Sequence, residues 1–297
     1  MDPRRRALLA ALAAGAAFRP GFAAMPPLTK TIPSTGEALP VIGLGTWQAF
    51  DVRGDTAALR EVMRIFGAMG GGVVDSSPMY GAAESVVGDL VDALDLRDKL
   101  FLATKVWTSG RTEGIRQMEA SFKRMRVQRM DLLQVHNLVD VETHTQTLLE
   151  MKAAEKARYI GITHYSASAH AEVERWVRTG QHDFLQINYS LAERNAEKTL
   201  LPLALEKKMA VIANRPFGEG ALFRKVKGKA LPAWAGELDI ASWAQYFLKW
   251  IVSHPAVTCA IPGTGNPAHM KDNLGAGQGA LPDAAARKRM ADYFSAL

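Results

Sequence analysis

Residues Pro40-Val41-Ile42-Gly43-Leu44-Gly45-Thr46-Trp47-Gln48 decide between two ways of building an α/β protein. A short apolar run with two glycines could be the first strand of a doubly wound sheet. That sheet needs a glycine-rich phosphate loop directly after the strand, opening a helix. Here Gly43 and Gly45 are followed by Thr-Trp-Gln, and helical spacing resumes only near residue 54. The phosphate loop is missing, and the doubly wound reading goes with it.

Outward from this stretch the same unit recurs, an apolar run followed by helical spacing. Gly72–Asp75 precedes a helix near 83–94, Leu100–Lys105 one near 111–126, and Asp131–His136 one near 142–156. Tyr159–Thr163 leads to a helix near 168–178, and Phe184–Asn188 to one near 194–208. Ala210–Asn214 precedes a long loop and a helix near 240–252; Val257–Ile261 is followed by helical stretches near 267–274 and 283–295. Continuous apolar strands alternating with helices imply parallel strands buried on both faces. Eight such units, counting the first with its helix near 54–68, predict a (β/α)8 TIM barrel. Lys30–Leu39, with Ser-Thr-Gly-Glu at its centre, predicts a β-hairpin that caps the barrel bottom.

Residues 1–24 stand apart from this pattern. Arg4, Arg5 and Arg6 precede an apolar run from Ala7 to Phe18, and small residues around 21–24 offer a peptidase site. The run is too short to span a bilayer, so these residues are expected to be a cleaved export signal, with the barrel domain covering 25–297. The arginine pair favours the twin-arginine route and a periplasmic or secreted protein; if Met25 is the true start, the protein is cytoplasmic. With Arg19 against Asp2, this segment supplies +3 of the +6 net charge. The remainder is too small to argue for nucleic acid as a partner. One cysteine, Cys259, excludes an internal disulfide and a cysteine-based zinc site, and the histidines lack a paired-ligand spacing, so no metal is expected.

In a barrel of this kind, polar residues at the C-terminal ends of strands read as catalytic. Asp75, Lys105 and His136 end three consecutive strands, and Tyr80 lies in the loop after the first of these. Singly, each has a structural explanation: a helix cap, a surface lysine, a core histidine, a loop aromatic. Together they make a chemical set. An ammonium beside a tyrosine stabilises its phenolate and lowers its pKa, and a carboxylate holds the lysine in place. A neutral imidazole can donate a hydrogen bond to a carbonyl oxygen.

Val74-Asp75-Ser76-Ser77-Pro78-Met79-Tyr80-Gly81, Ala103-Thr104-Lys105-Val106 and Asp131-Leu132-Leu133-Gln134-Val135-His136 resemble motifs of the aldo-keto reductases. So do Gly43-Leu44-Gly45-Thr46-Trp47 and Ile261-Pro262-Gly263-Thr264, in the same order and at the same spacing from about residue 28 to the C-terminus. The resemblance implies an NADP-dependent reductase of aldehydes or ketones, with Asp75, Tyr80, Lys105 and His136 as catalytic tetrad and Tyr80 as general acid. It implies NADP(H) as cofactor, with NAD(H) possible, bound across the strand ends. Thr46, Trp47 and Asp75 would face that cofactor, and Thr163, His164 and Gln186 would hold its carboxamide. His164 stands where the family has Asn, and Asn214 where it has a stacking aromatic; Arg215 is the flat group nearest in sequence. Pro216, Phe217, Gly218, Gly220 and Leu222 match the loop over the pyrophosphate, where Glu219 would sit awkwardly beside phosphate. Gly263, Thr264, Lys271 and Asn273 match the adenosine end, where Gly263 and His269 replace the usual cations and leave Lys271 to meet a 2′-phosphate.

Trp47, Trp107 and Asn137 are expected to line the mouth of an open pocket for a small carbonyl substrate. The protein is expected to be a monomer with no membrane span in its mature part. Two other readings remain at this point: a cofactor-binding sensor or regulatory protein, and an isomerase with tightly held NADP.

Overall fold

The structure, a computed structural model, describes residues 26–297; the expected export signal lies outside the described residues. An antiparallel hairpin comes first, β1 (Thr29–Thr31) and β2 (Ala38–Pro40), with Lys30 opposite Leu39. The barrel then begins with β3 (Leu44–Gly45), α1 (Ala57–Ala68), β4 (Val73–Asp75), α2 (Ala83–Ala93), β5 (Phe101–Val106) and α3 (Arg111–Arg124). It continues through β6 (Met130–His136), α4 (Val141–Ala153), β7 (Ala157–His164), α5 (His170–Thr179), β8 (Phe184–Asn188) and α6 (Leu200–Glu206). Last come β9 (Ala210–Asn214), the short α7 (Ala221–Lys225), α8 (Trp243–Val252), β10 (Val257–Ala260), α9 (Pro267–Gly275) and α10 (Ala284–Ala296).

Strands β3 to β10 pair in sequence order, all parallel. Two parallel bridges, Ile42 with Ala260 and Gly45 with Gly263, join the first strand region to the last and close the barrel. At this seam the Gly43 amide donates to the Ala260 carbonyl at 2.8 Å and the Gly45 amide to the Pro262 carbonyl at 3.1 Å. The two glycines that opened the sequence question answer it here. A Cβ on Gly43 would lie 2.7 Å from the Val73 carbonyl oxygen, and one on Gly45 2.9 Å from that of Ile261. They serve close approach of backbones, not phosphate.

Two expected elements differ in extent. The first strand, read as 40–45, is divided: Pro40 closes the hairpin, and having no N–H to extend a ladder it leaves only Leu44–Gly45 as strand. The helix read as 194–208 begins only at Leu200, because Pro202 is tolerated solely in a first turn.

Alternation along each strand sends one set of side chains into the lumen and the other to the helices. Leu102, Val106, Leu133, Val135, Ile160 and Ile162 belong to the outer core, packed under the helices. The lumen is plugged from below by Ile32 and Leu39 of the hairpin against Phe101, Tyr159 and Phe184, whose rings lie 5.5–5.8 Å apart. Burying each such side chain stabilises the fold by about 2–3 kcal/mol. Val73, Ala103, Leu132, Ala210, Ile212, Cys259 and Ile261 fill the rest of this apolar cluster. Continuing the same parity upward reaches Asp75, Lys105, Gln134, His136, Thr163, Gln186 and Asn214. The lumen therefore runs from aromatic to aliphatic to polar, and its polar end is the C-terminal face.

Candidate active site

Lys105 is completely buried, and its ammonium is anchored by the Asp75 carboxylate at 2.6 Å and the Ser76 carbonyl at 2.7 Å. The other Asp75 oxygen accepts from the side-chain amides of Gln134 at 3.1 Å and Gln186 at 2.9 Å. Thr46 donates to the Asp75 carbonyl and to the Ser76 hydroxyl, both at 3.0 Å, tying the strand β3 end to the same cluster. Burial opposes the charge on Lys105, but Asp75 and Tyr80 together more than offset it, and the lysine pKa lies above its ordinary value. An ammonium at this depth is held by geometry and stays charged.

Tyr80 lies on this cluster, its ring centroid 4.9 Å from the Lys105 nitrogen. Burial raises the phenol pKa and Lys105 draws it back down, with Asp75 opposing; the net shift is upward. The sequence led us to expect a lowered value. Desolvation reverses that sign, because the phenolate loses more solvent than one ammonium replaces. The phenol is therefore protonated at neutral pH, and Lys105 is placed to stabilise the anion left after it gives up its proton.

His136 meets Tyr80 edge-on at 5.9 Å between rings, and Trp107 lies 6.4 Å away. Its Nδ1 is 3.1 Å from the buried Ser77 hydroxyl. Burial first, then the Lys105 charge, push its pKa down to about 2, so the imidazole is neutral. Around these groups opens a cavity of about 840 Å³. Its lining brings together Asp75, Tyr80 and His136 with Thr46, Trp47, Trp107, Asn137, Thr163, Gln186, Asn214, Arg215, Pro216, Phe217, Gly220 and Gly263. Five of the six exposed large hydrophobic side chains among the described residues, Trp47, Met79, Trp107, Tyr165 and Phe223, ring this cavity.

Other expected residues lie away from the lining. His164 does not supply the missing amide: its Nδ1 accepts from the Ser166 amide at 3.1 Å and its ring stacks on Tyr165 at 5.4 Å. Asn214 stands beside the place instead, donating to the His164 carbonyl at 3.3 Å and to the Gln186 side chain at 3.5 Å, while Thr163 donates to Gln186 at 3.2 Å. The Asn214 side-chain oxygen is buried with no partner. Such a cluster of amides, with one acceptor unmet, fits a primary carboxamide, which both donates and accepts.

Arg215 lies over the Tyr165 ring at 5.3 Å, donates to the Tyr165 carbonyl at 3.3 Å and pairs with Glu219 at 2.5 Å. This pairing neutralises Glu219, the expected awkward neighbour of a phosphate. Tyr165 is half-exposed and lines the cavity, with His164 stacked on its ring and Arg215 over it. Leu222 is core, and Gly218, Thr264, Lys271 and Asn273 do not line the cavity. On α9 Asn273 is buried while Lys271, two residues away and so on the opposite side of the helix, is exposed. Lys271 thus faces away from the side that Asn273 takes.

Sequence reasoning missed Gln134, Ser77 and Tyr165. Gln134 was detectable, being the polar residue in the apolar run Leu132-Leu133-Gln134-Val135, two positions before His136. Among the described residues no cluster of three or more His, Cys, Asp or Glu could hold a metal, and no helix is long and apolar enough to cross a membrane. Cys259 is buried in the lumen, where desolvation pushes its thiol pKa up.

Comparison with known proteins adds the following. The Aldo/keto reductase family model matches residues 41–288. The chain is 30% identical to a methylglyoxal reductase of Escherichia coli over 257 residues, covering 82% of this chain and 88% of that protein. It is 25% identical to an aldo-keto reductase of Bacillus subtilis, covering 81% of this chain and 86% of that one. An aldo/keto reductase from Klebsiella pneumoniae, solved in complex with NADP and acetate, superposes with a TM-score of 0.74 at 25% identity, covering 87% of this chain and 93% of its own.

Proposed function

The chain belongs to the aldo/keto reductase family, and on that premise we propose that it reduces an aldehyde or ketone to the alcohol, with Tyr80 giving the proton. The observation that carries this reading is the buried Lys105–Asp75 pair beneath a protonated Tyr80 and beside a neutral His136, all opening on one cavity. NADPH, when bound, supplies the hydride. Thr163, Gln186 and Asn214 would hold its carboxamide, with Tyr165 on the wall of the same cavity. With no Lys or Arg at 263 or 269 to grip a 2′-phosphate, NAD(H) is accommodated as well.

The carbonyl oxygen gains negative charge as hydride reaches its carbon. Tyr80 transfers its proton to that oxygen, and the Lys105 ammonium stabilises the phenolate left behind. Asp75 keeps Lys105 in place, and the Gln134 and Gln186 amides keep Asp75 in place. His136, being neutral, offers a ring N–H to the same oxygen and orients it without competing for the proton. Trp47, Met79 and Trp107 exclude water and give the substrate an apolar surround.

Tyr80→Phe removes only the transferable proton. The expected loss in kcat is about 10²–10⁴-fold, the range for a general acid. Oxidation of NADPH across a panel of aldehydes measures it. Titration with NADPH and NADH, followed through quenching of tryptophan fluorescence, should be nearly unchanged. Reduction by the Phe variant at the wild-type rate would remove Tyr80 from the role.

A further inference from the structure

Ser77 is completely buried, two residues after Asp75 and directly before Pro78. A residue before proline is confined to extended backbone, and the Ser77 carbonyl accepts from the Tyr80 amide at 3.0 Å. The side chain is therefore held from both sides. Its hydroxyl has two neighbours within hydrogen-bond distance, the Met79 amide at 3.4 Å and His136 Nδ1 at 3.1 Å.

The donor count settles the direction of these bonds. The Met79 amide can only donate, so the serine oxygen accepts from it. The serine proton then has one acceptor among the described residues, the Nδ1 lone pair of His136. Were Nδ1 protonated, it would point its N–H at an oxygen whose own proton had nowhere to go, leaving a buried donor unmet. With Nδ1 unprotonated, the neutral ring carries its proton on Nε2. Nε2 has no hydrogen-bond partner among the described residues, and His136 lines the cavity.

We propose that Ser77 is a positioning residue that fixes His136 in the Nε2–H tautomer and so gives the cavity a hydrogen-bond donor at a defined place. The tautomer assignment stands on the hydrogen bonds alone; its consequence for turnover rests on the reductase reading above. In the other tautomer Nε2 would present a lone pair to a carbonyl oxygen that is gaining charge, and that repulsion falls on the transition state more than on binding.

Two measurements test this separately. The ¹⁵N shifts of His136 in the wild-type protein, assigned by comparison with His136→Gln, should show Nε2 protonated and Nδ1 not, between pH 6 and 8. A protonated Nδ1 overturns the proposal whether or not the protein reduces anything. Ser77→Ala should move the Nδ1 shift and lower kcat about 10–100-fold, with NADPH affinity unchanged and KM changed little; Ser77→Thr, which keeps the hydroxyl, should recover most of the loss. An Ala variant with wild-type kcat removes Ser77 from catalysis, as does a loss confined to KM. Should the wild type show the expected tautomer yet turn over no carbonyl, the reductase reading fails while the assignment of Ser77 to His136 stands.

Discussion

Both ends of the barrel carry charges, and they are arranged differently. At the bottom, Arg158 bridges Glu37 at 2.5 Å and Asp131 at 2.9 Å, Arg97 also reaches Asp131 at 2.9 Å, and the Tyr159 hydroxyl donates to Glu37 at 2.6 Å. This network ties the hairpin to β6 and β7, and Arg158 and Glu37 each remain about one-third exposed, with water to share the solvation. At the top, one ammonium and one carboxylate face each other out of water, and the remaining capacity of Asp75 is met by amides. Asp131 at the bottom is as buried as Asp75, but its arginine partners reach water. Charges with one solvated partner staple a fold, whereas a pair buried on both sides creates a site whose parts cannot be removed singly.

Removing one partner at the top should have the largest effect. Asp75→Asn leaves the Lys105 ammonium unpaired in the interior, a loss of about 3–5 kcal/mol together with loss of turnover. Urea unfolding at pH 7 measures the first. Adding Lys105→Met to that variant should restore most of the stability and none of the activity. If the double variant is no more stable than the single one, the pair is not what makes the top sensitive.

An intermediate effect comes from pH. His136 titrates near 6.5 when unfolded and at about 2 when folded, so the unfolded chain binds the extra proton between these values. Its contribution is complete above pH 6.5 and falls as the pH drops, by about 2 kcal/mol at pH 5. His182 and His254, each pushed by burial to about 4, act in the same direction. Unfolding of His136→Gln should lose about 2 kcal/mol less than the wild type between pH 7 and pH 5. Equal losses would mean that His136 is not held neutral by the fold.

The smallest effect belongs to the bottom. Arg158→Met should cost about 1 kcal/mol, since a partly exposed pair is screened by solvent. Asp131 keeps Arg97 and the Leu102 amide as partners. The aldehyde reduction rate should be unchanged. A rate that falls with this variant would show that the two ends communicate, and the contrast between staple and site would have to be given up.

Much of this was legible in the chain. Continuous apolar runs mark the barrel strands and helical spacing marks nearly every helix, because they record which side chains the barrel buries. Asp75, Lys105 and His136 end consecutive strands and Tyr80 lies in the loop after the first, so the four could be set together before any coordinates. What could not be read depends on which way side chains turn and on how much water the fold removes. Whether His164 faces the cavity depends on Tyr165 stacking on it and Ser166 holding it. That Glu219 is neutralised depends on where Arg215 turns. Even the sign of the Tyr80 shift depended on how much water the fold removes.

The seam that closes the barrel also bears on how the chain folds. Ile42 and Ala260 are 218 positions apart, whereas every other ladder joins neighbouring strands. Closing so long a loop carries the greatest loss of chain entropy, so this seam forms late, after the local strand–helix units. Thr46 and Trp47, which line the cavity, follow directly on Gly45, one of the seam's two backbone donors. A refolding chain thus gains most of its helix and sheet before it has a complete site, and the last backbone bonds to form are those that finish it.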